Sequence, residues 1–291
     1  MNTSDADGIR PPAAVDDPKV ATHDSHVVAS SGPFLLCLTL LGGSYVLIIL
    51  LLILGNLGFL FFSENGIPAF VEALQSEEVR YATWLSLISC TITMVLSLFV
   101  SVPIGYLMSR FSYPGKAFID AILDIPIVLP PLVVGISLLI LFNVSPFDYL
   151  SDWIVWEIPA VIIAQFMVAC AFAVRTMRVT FDQISPRYER VAMTLGASRG
   201  QAFWMIILPQ TRRGLLAAAT LAWARSLGEF GPILVFAGAT RMRTEVLPTT
   251  VFLEMQAGRL ESMLAISIIM IILAAIVLVL ARLFGMRRIY A

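Results

Sequence analysis

Six runs of apolar residues, each near the length needed to cross the roughly 30 Å hydrocarbon core of a bilayer, leave this chain few ways to fold. They lie at about Phe34–Phe62, Tyr81–Ser109, Ala117–Phe142, Ile158–Val174, Gly214–Gly238 and Ser262–Phe284. Inside hydrocarbon every backbone N–H and C=O must find a partner, and a single run of this kind can supply its own only as a helix. Composition agrees: 58% of the residues are hydrophobic and 13% charged, where soluble domains carry about 25% charged residues. The expected fold is an all-α integral membrane bundle of about six spans, covering residues 34–291.

Residues 1–33 are polar and rich in Asp, Pro, Ala and Ser, without a periodicity that could bury a core, and are expected to be disordered. A secretory signal would place a basic segment directly before a short apolar run, whereas here the first run is distant and long. Cys37, Cys90 and Cys170 all fall inside apolar runs, which suits small packing residues better than disulfides or metal ligands. No metal site is expected, and a net charge of −1 argues against a nucleic-acid partner.

Orientation follows from Lys and Arg, which are retained on the cytoplasmic side. The first connection carries Glu64, Glu72, Glu77 and Glu78 against Arg80, and the third only Asp148, Asp152 and Glu157. The second has Arg110 and Lys116, and the fourth has Arg175, Arg178, Arg187, Arg190, Arg199, Arg212 and Arg213. The even connections are therefore expected to be cytoplasmic, as Arg282, Arg287 and Arg288 after the last span also indicate, with both termini inside. The fifth connection dissents, with Arg241, Arg243 and Arg259 nearly balanced by Glu245, Glu254 and Glu261.

The fourth connection, residues 175–213, is long for a compact bundle, whose links run to about two to eight residues, so it is expected to hold structure of its own. Ser185-Pro186 supplies a helix start and Glu189 suits the positive end of its dipole. Tyr188, Val191, Ala192 and Leu195 fall on one face, and Gly196 can take the left-handed conformation that closes a helix. A second short helix is expected from about Ser198 until Leu208-Pro209 breaks it. By itself, a short amphipathic helix of this kind can lie on headgroups, serve as plain connection or dock into another protein.

Gly196, the nine residues Ala197 to Met205, and Ile206-Ile207-Leu208-Pro209 resemble the signature of the permease subunits of ATP-binding-cassette importers. Ala192 holds the motif's second Ala; Arg190 and Val191 stand where its Glu and first Ala would be, with an acid one position earlier at Glu189. In that family the segment is the coupling helix, seated in a groove of the ATPase. The resemblance thus implies coupling roles for Glu189, Ala192, Leu195, Gly196, Ala197 and Pro209, with a close-approach face built around Ala192 and Gly196.

Two further stretches narrow the likeness. Tyr113 to Ala117, Asp120, Asp124 and Pro126 through Pro130, Pro131 and Gly135 resemble the third-span region of molybdate and sulfate permeases. Ala224-Arg225-Ser226-Leu227-Gly228-Glu229-Phe230-Gly231 resembles their fifth span, and Arg243-Thr244-Glu245-Val246-Leu247-Pro248 the external loop after it, although Gly231-Pro232 departs from the usual Gly-Ala. Molybdate permeases come first in this likeness, with sulfate/thiosulfate and tungstate permeases as near relatives. It implies an importer of an oxyanion in the cell inner membrane, partnered by ATPase subunits, an external solute-binding protein and a second permease copy. ATP and Mg would belong to the ATPase, because this chain has no Gly-x-x-x-x-Gly-Lys-Ser/Thr loop to cradle phosphates.

The physical reading stands beside the likeness. Pro126, Pro130 and Pro131 each remove a helix hydrogen bond, so the third span is expected to be kinked. Arg225 and Glu229 form an ionisable pair deep in an apolar run, at i and i+4, and each alone would cost about 2.5–3.5 kcal/mol at the bilayer centre. They either fix helix packing as a buried pair or offer tempered positive potential to a passing oxyanion. Asp120 and Asp124 read as headgroup-level polar residues. The competing class, an ion-gradient-driven transporter or channel, would show inverted repeats and several interrupted helices with polar groups near the midplane.

Overall fold

The structure is a computed structural model that describes residues 32–63 and 66–287, the side chains of residue 33 and residues 284–287 excepted. Residues 1–31 of the expected tail lie outside the described residues. The chain divides into two compact units, Met1–Leu54 and Gly55–Ala291. Among the described residues all regular elements are helical. Four of these helices are long and apolar enough to cross a membrane, and a bent pair makes a fifth candidate.

Helix α1 (Gly32–Phe62) is apolar throughout, and its side chains are almost all exposed in the single chain. A short amphipathic helix, α2 (Gly66–Gln75), precedes α3 (Glu77–Arg110). Ser76 caps α3 by accepting from the Val79 amide at 3.4 Å, Glu77 and Glu78 lie at its positive end, and Arg110 lies at its negative end. Helix α7 (Ile158–Asp182) packs along α3. On α3, Ser86, Ser89, Thr93, Ser97, Ser101 and Gly105 recur every three or four residues and are all buried. Ala160, Ala164, Ala169, Ala173 and Met177 on α7 are buried likewise. Small residues let two backbones approach in lipid, where packing and interhelical hydrogen bonds replace the hydrophobic driving force. A Cβ added at Gly105 would lie 2.9 Å from the Arg178 amide nitrogen. The buried Thr93 hydroxyl donates to Gln165 Oε1 at 3.2 Å. Cys90 and Cys170 are buried packing residues as expected, whereas Cys37 is exposed on α1.

The third expected span is broken, not merely kinked. Helix α4 (Lys116–Val128) and helix α5 (Pro131–Leu141) meet at 112°. A residue before proline is pushed out of the helical region, and here this happens twice in succession. Leu129 before Pro130 has ψ 139°, and Pro130 before Pro131 has ψ 132°. Pro126, by contrast, sits inside α4. A 3-10 turn (Phe147–Leu150) and α6 (Ser151–Ile154) then lead to α7.

Helix α7 runs on to Asp182, past the expected end at Val174, because Met177 and Phe181 carry its buried face onward. The fourth connection is correspondingly shorter and holds α8 (Arg187–Thr194), α9 (Arg199–Ala202) and α10 (Leu208–Gln210). The fifth expected span is also divided. Helix α11 (Arg212–Leu227) stops at Gly228, and α12 (Gly231–Phe236) resumes after Glu229 and Phe230. Pro232 has no amide to offer the carbonyl four residues back, so the helix cannot pass through Gly228 unchanged. Helices α13 (Leu247–Gln256) and α14 (Leu260–Arg287) are the last of the described elements. Short α12 packs on α5, glycine against proline in both directions: a Cβ at Gly135 would lie 2.8 Å from Pro232 Cα, and one at Gly231 would lie 3.1 Å from Pro131 Cβ.

Candidate functional site

The fourth connection is built from its end signals. Ser185 Oγ accepts from the Arg187 amide at 3.4 Å and Pro186 leads into α8. Gly196, at φ +92°, closes α8: its amide bonds the Met193 carbonyl and the Ala197 amide bonds the Ala192 carbonyl, both at 3.1 Å. That hydrogen-bond pair satisfies carbonyls the helix end would leave free. Ser198 and Gln201 then cap α9 reciprocally, at 3.2 and 2.8 Å. Phe203–Ile207 widens into a π turn before α10, so Pro209 is accommodated in a fresh turn instead of ending the segment.

The face expected to meet a partner divides in two. Tyr188, Val191 and Leu195 point outward, Leu195 being 84% exposed, while Ala192 is buried against the rest of the chain. Ala192 is thus covered by the chain's own residues, whereas Gly196 borders open space. Glu189 also turns inward. Its Oε1 accepts from Tyr106 Oη at 2.7 Å, Arg199 Nε lies 3.5 Å away, and Arg110 Nε lies 3.8 Å from Oε2. Tyr106 packs edge-on against Phe111, Phe181 and Phe203. Ala197 and Pro209 are half-buried, and Trp204 and Met205 extend the exposed apolar face.

At the breaks in the third and fifth spans the structure places further charge. Arg225 Nη1 lies 2.6 Å from Glu229 Oε2; the carboxylate is buried, while the guanidinium is 27% exposed and lies 5.8 Å above the Phe172 ring. Pro130 and Pro131 are exposed at the third-span break. Asp120 and Asp124, expected at headgroup level, pair with Arg178 and Arg175 across α4 and α7. No local pattern announces these pairs, because the partners are 58 and 51 residues apart.

The fifth connection is ordered by contacts to α3. Tyr81 Oη donates to the Arg243 carbonyl at 2.9 Å, and Ser86 Oγ accepts from the Leu247 amide at 2.9 Å. The Arg243 side chain pairs with Glu157, and Pro248 occupies the first turn of α13. Arg241 bridges Glu78 and Glu254, at 3.2 and 2.8 Å, and Arg259 joins Glu254 at 2.7 Å. Beside them Glu245 is fully buried, and neither of its oxygens has a well-formed hydrogen bond. Burial pushes its carboxyl above the usual carboxylate range, and nearby Thr250 and Arg241 only partly offset this. Sequence reasoning counted these charges without seeing a cluster, since near balance of acids and bases was its only outward sign.

A family model described as a binding-protein-dependent transport system inner membrane component matches residues 97–290. The sulfate transport system permease protein CysT of Escherichia coli (strain K12) is 30% identical over 214 residues, 72% of this chain and 76% of that one. The molybdenum transport system permease protein ModB of the same organism is 33% identical over 207 residues, 69% of this chain and 90% of that one. Among solved structures, a chain of a bacterial alginate ABC transporter in complex with an alginate pentasaccharide-bound periplasmic protein superposes with TM-score 0.70. It covers 87% of this chain and 94% of that one, and at 18% identity the likeness speaks to the fold.

Proposed function

The chain belongs to the family of binding-protein-dependent transport system inner membrane components, and from that premise we propose that it is the membrane-spanning permease subunit of an ATP-driven oxyanion importer. The observation that carries the reading is the fourth connection, where α8 is closed at Gly196 and turns Tyr188, Val191 and Leu195 outward. An exposed apolar face on a short capped helix suits a groove in a cytoplasmic ATPase. That ATPase would bind ATP and Mg, and α8 would serve as the coupling helix, with the arginine bias of the connection placing it and both termini inside. Helices α11 and α12 together make the fifth crossing and α14 the sixth, so six crossings follow the tail.

The transported solute reaches the path from an external binding protein and crosses between two permease copies, a two-fold pair being the default closed symmetry. The partly exposed Arg225 offers positive potential near the span break, and Glu229 keeps that attraction from holding the anion too tightly. Molybdate is the first expected solute, supported by the ModB relative and by the third- and fifth-span motifs. Sulfate is the second reading, supported by the sulfate permease relative.

Copurification tests the class. The tagged chain should retain a cytoplasmic ATPase, and uptake should stop when that ATPase is disabled; uptake that persists would move the chain to the ion-gradient-driven transporters or channels. For the solute, molybdate with its binding protein should stimulate ATP hydrolysis by the reconstituted complex, whereas stimulation by sulfate alone reassigns it. Gly196→Val should uncouple or release the ATPase, because a β-branched residue at φ +92° is strained by about 1–2 kcal/mol. Normal assembly and uptake in that variant would count against α8 as the coupling element.

A further inference from the structure

Glu189 presents a problem that the docking face of α8 does not explain. A carboxylate taken out of water costs several kcal/mol unless it is paired and hydrogen-bonded, and Glu189 is buried while Leu195 stands exposed. Three side chains of its own chain meet it. Tyr106 and Arg110 come from the last turns of α3, and Arg199 from the start of α9. Arg110 is itself buried, with a 7% exposed side chain, and its Nη2 donates to the Ile184 carbonyl at 2.8 Å, just ahead of α8. One carboxylate thus gathers the end of α3, the approach to α8 and the start of α9 at a single point. Helix α3 is in turn joined along its length to α7 by the small-residue seam.

We propose that Glu189 is a positioning residue that fastens α8 to the inner end of α3, so that a push on the outward face of α8 is delivered to the α3–α7 pair. The proposal rests on the permease reading and adds the route by which the partner's movement enters the bundle. An acid serving a partner directly would stand on the outward face with Tyr188 and Leu195; this one stands beneath it. Without Glu189 the apolar packing of Ala192 and the Arg110 bond to the Ile184 carbonyl would hold α8 without a charged anchor, and part of its movement would be lost in the connection.

The test uses the full complex with its ATPase and binding protein in liposomes, reading ATP hydrolysis and solute uptake in parallel. Glu189→Ala should assemble and hydrolyse ATP, while uptake per ATP falls about tenfold, the scale of a lost charge-assisted hydrogen bond. Glu189→Gln, which keeps an acceptor for Tyr106, should recover part of the ratio. Tyr106→Phe removes one oxygen and should lower the same ratio less; combined with Glu189→Ala it should add little further loss, because the two act as a unit. An unchanged ratio in Glu189→Ala and Tyr106→Phe would overturn the proposal. So would loss of the ATPase from Glu189→Ala with Tyr106→Phe behaving as wild type, since that would place Glu189 against the partner. A wild-type chain that carries no ATPase sinks the permease reading itself, and the fastening role with it.

Discussion

Helices α3 and α7 run unbroken, while the third and fifth spans come apart in mid-course. The difference lies in what each offers its neighbour. Along α3 and α7, serines, alanines and Gly105 bring two intact backbones together, so close packing is spread over many turns. Helix α3 even absorbs Pro103 without a break. In the third span two adjacent prolines force two consecutive residues extended, and in the fifth Gly228 yields ahead of Pro232. Helix α11 still packs broadly against α3 and α7, with Ala218 and Ala222 in the core beside Ala169 and Ala173; α5 and α12 meet at the glycine–proline joint and a shared apolar cluster, and α4 depends chiefly on the pairs of Asp120 and Asp124 with Arg178 and Arg175. Distributed packing makes a scaffold. Where point contacts dominate, as along α4, which has no buried residue, fewer interactions must be exchanged when the piece moves.

The sharpest way to break this comparison is to remove Arg225 alone. Arg225→Met leaves the Glu229 carboxylate buried without its partner and should cost about 3 kcal/mol, read as a lowered Tm of the purified complex. The double variant Arg225→Met/Glu229→Leu should recover most of that stability. If uptake recovers too, the pair only packs; if uptake stays lost, Arg225 acts on the solute. Next in size, Gly105→Leu should cost about 1–3 kcal/mol and reduce folded yield, because the new Cβ meets backbone of α7. Gly135→Leu meets Pro232 just as closely, yet should cost less stability and more uptake, since α12 is short and can shift. Equal stability losses at the two glycines would erase the distinction between seam and joint.

The buried Glu245 sharpens the comparison at the fifth connection through pH. Its carboxyl is raised by burial, so on raising pH the unfolded chain releases this proton first. Its contribution to stability is complete below the usual carboxylate range and declines as pH rises toward the raised value. A pH series of Tm should therefore show wild type losing stability over that window relative to Glu245→Gln; parallel curves would mean that Glu245 does not titrate in the folded state. The smallest effect is expected at Asp124→Asn, about 0.5 kcal/mol or less, because both members of that pair are substantially exposed. Uptake should change more than Tm there if the pair holds α4 in place; an unchanged uptake rate would mark the contact as incidental.

Much of this was legible beforehand. Apolar run length located the long helices, Ser185-Pro186 and Gly196 bounded α8 closely, and Ser198 marked the start of α9. The double proline announced a disturbance in the third span, though not a 112° break. Periodicity placed Tyr188, Val191, Ala192 and Leu195 on one apolar side but could not show that Ala192 turns inward. That depends on Tyr106 and Arg110, some eighty positions away, occupying the space beneath α8. Asp120 and Asp124 looked like surface acids for the same reason, as a carboxylate's partner across a helix interface leaves no local trace.

By itself, the sequence determined that the chain is helical and apolar enough for a membrane, where its helix ends fall in the fourth connection, and which family motif that connection carries. These properties follow from local rules: backbone groups must be satisfied within a run, prolines lack a donor, and glycine alone takes a left-handed turn cheaply. Tertiary structure decided which spans stay whole, which face of α8 is free, and with whom each buried charge is paired. Those outcomes depend on distances between residues far apart in the chain, and only the packing of whole helices sets them.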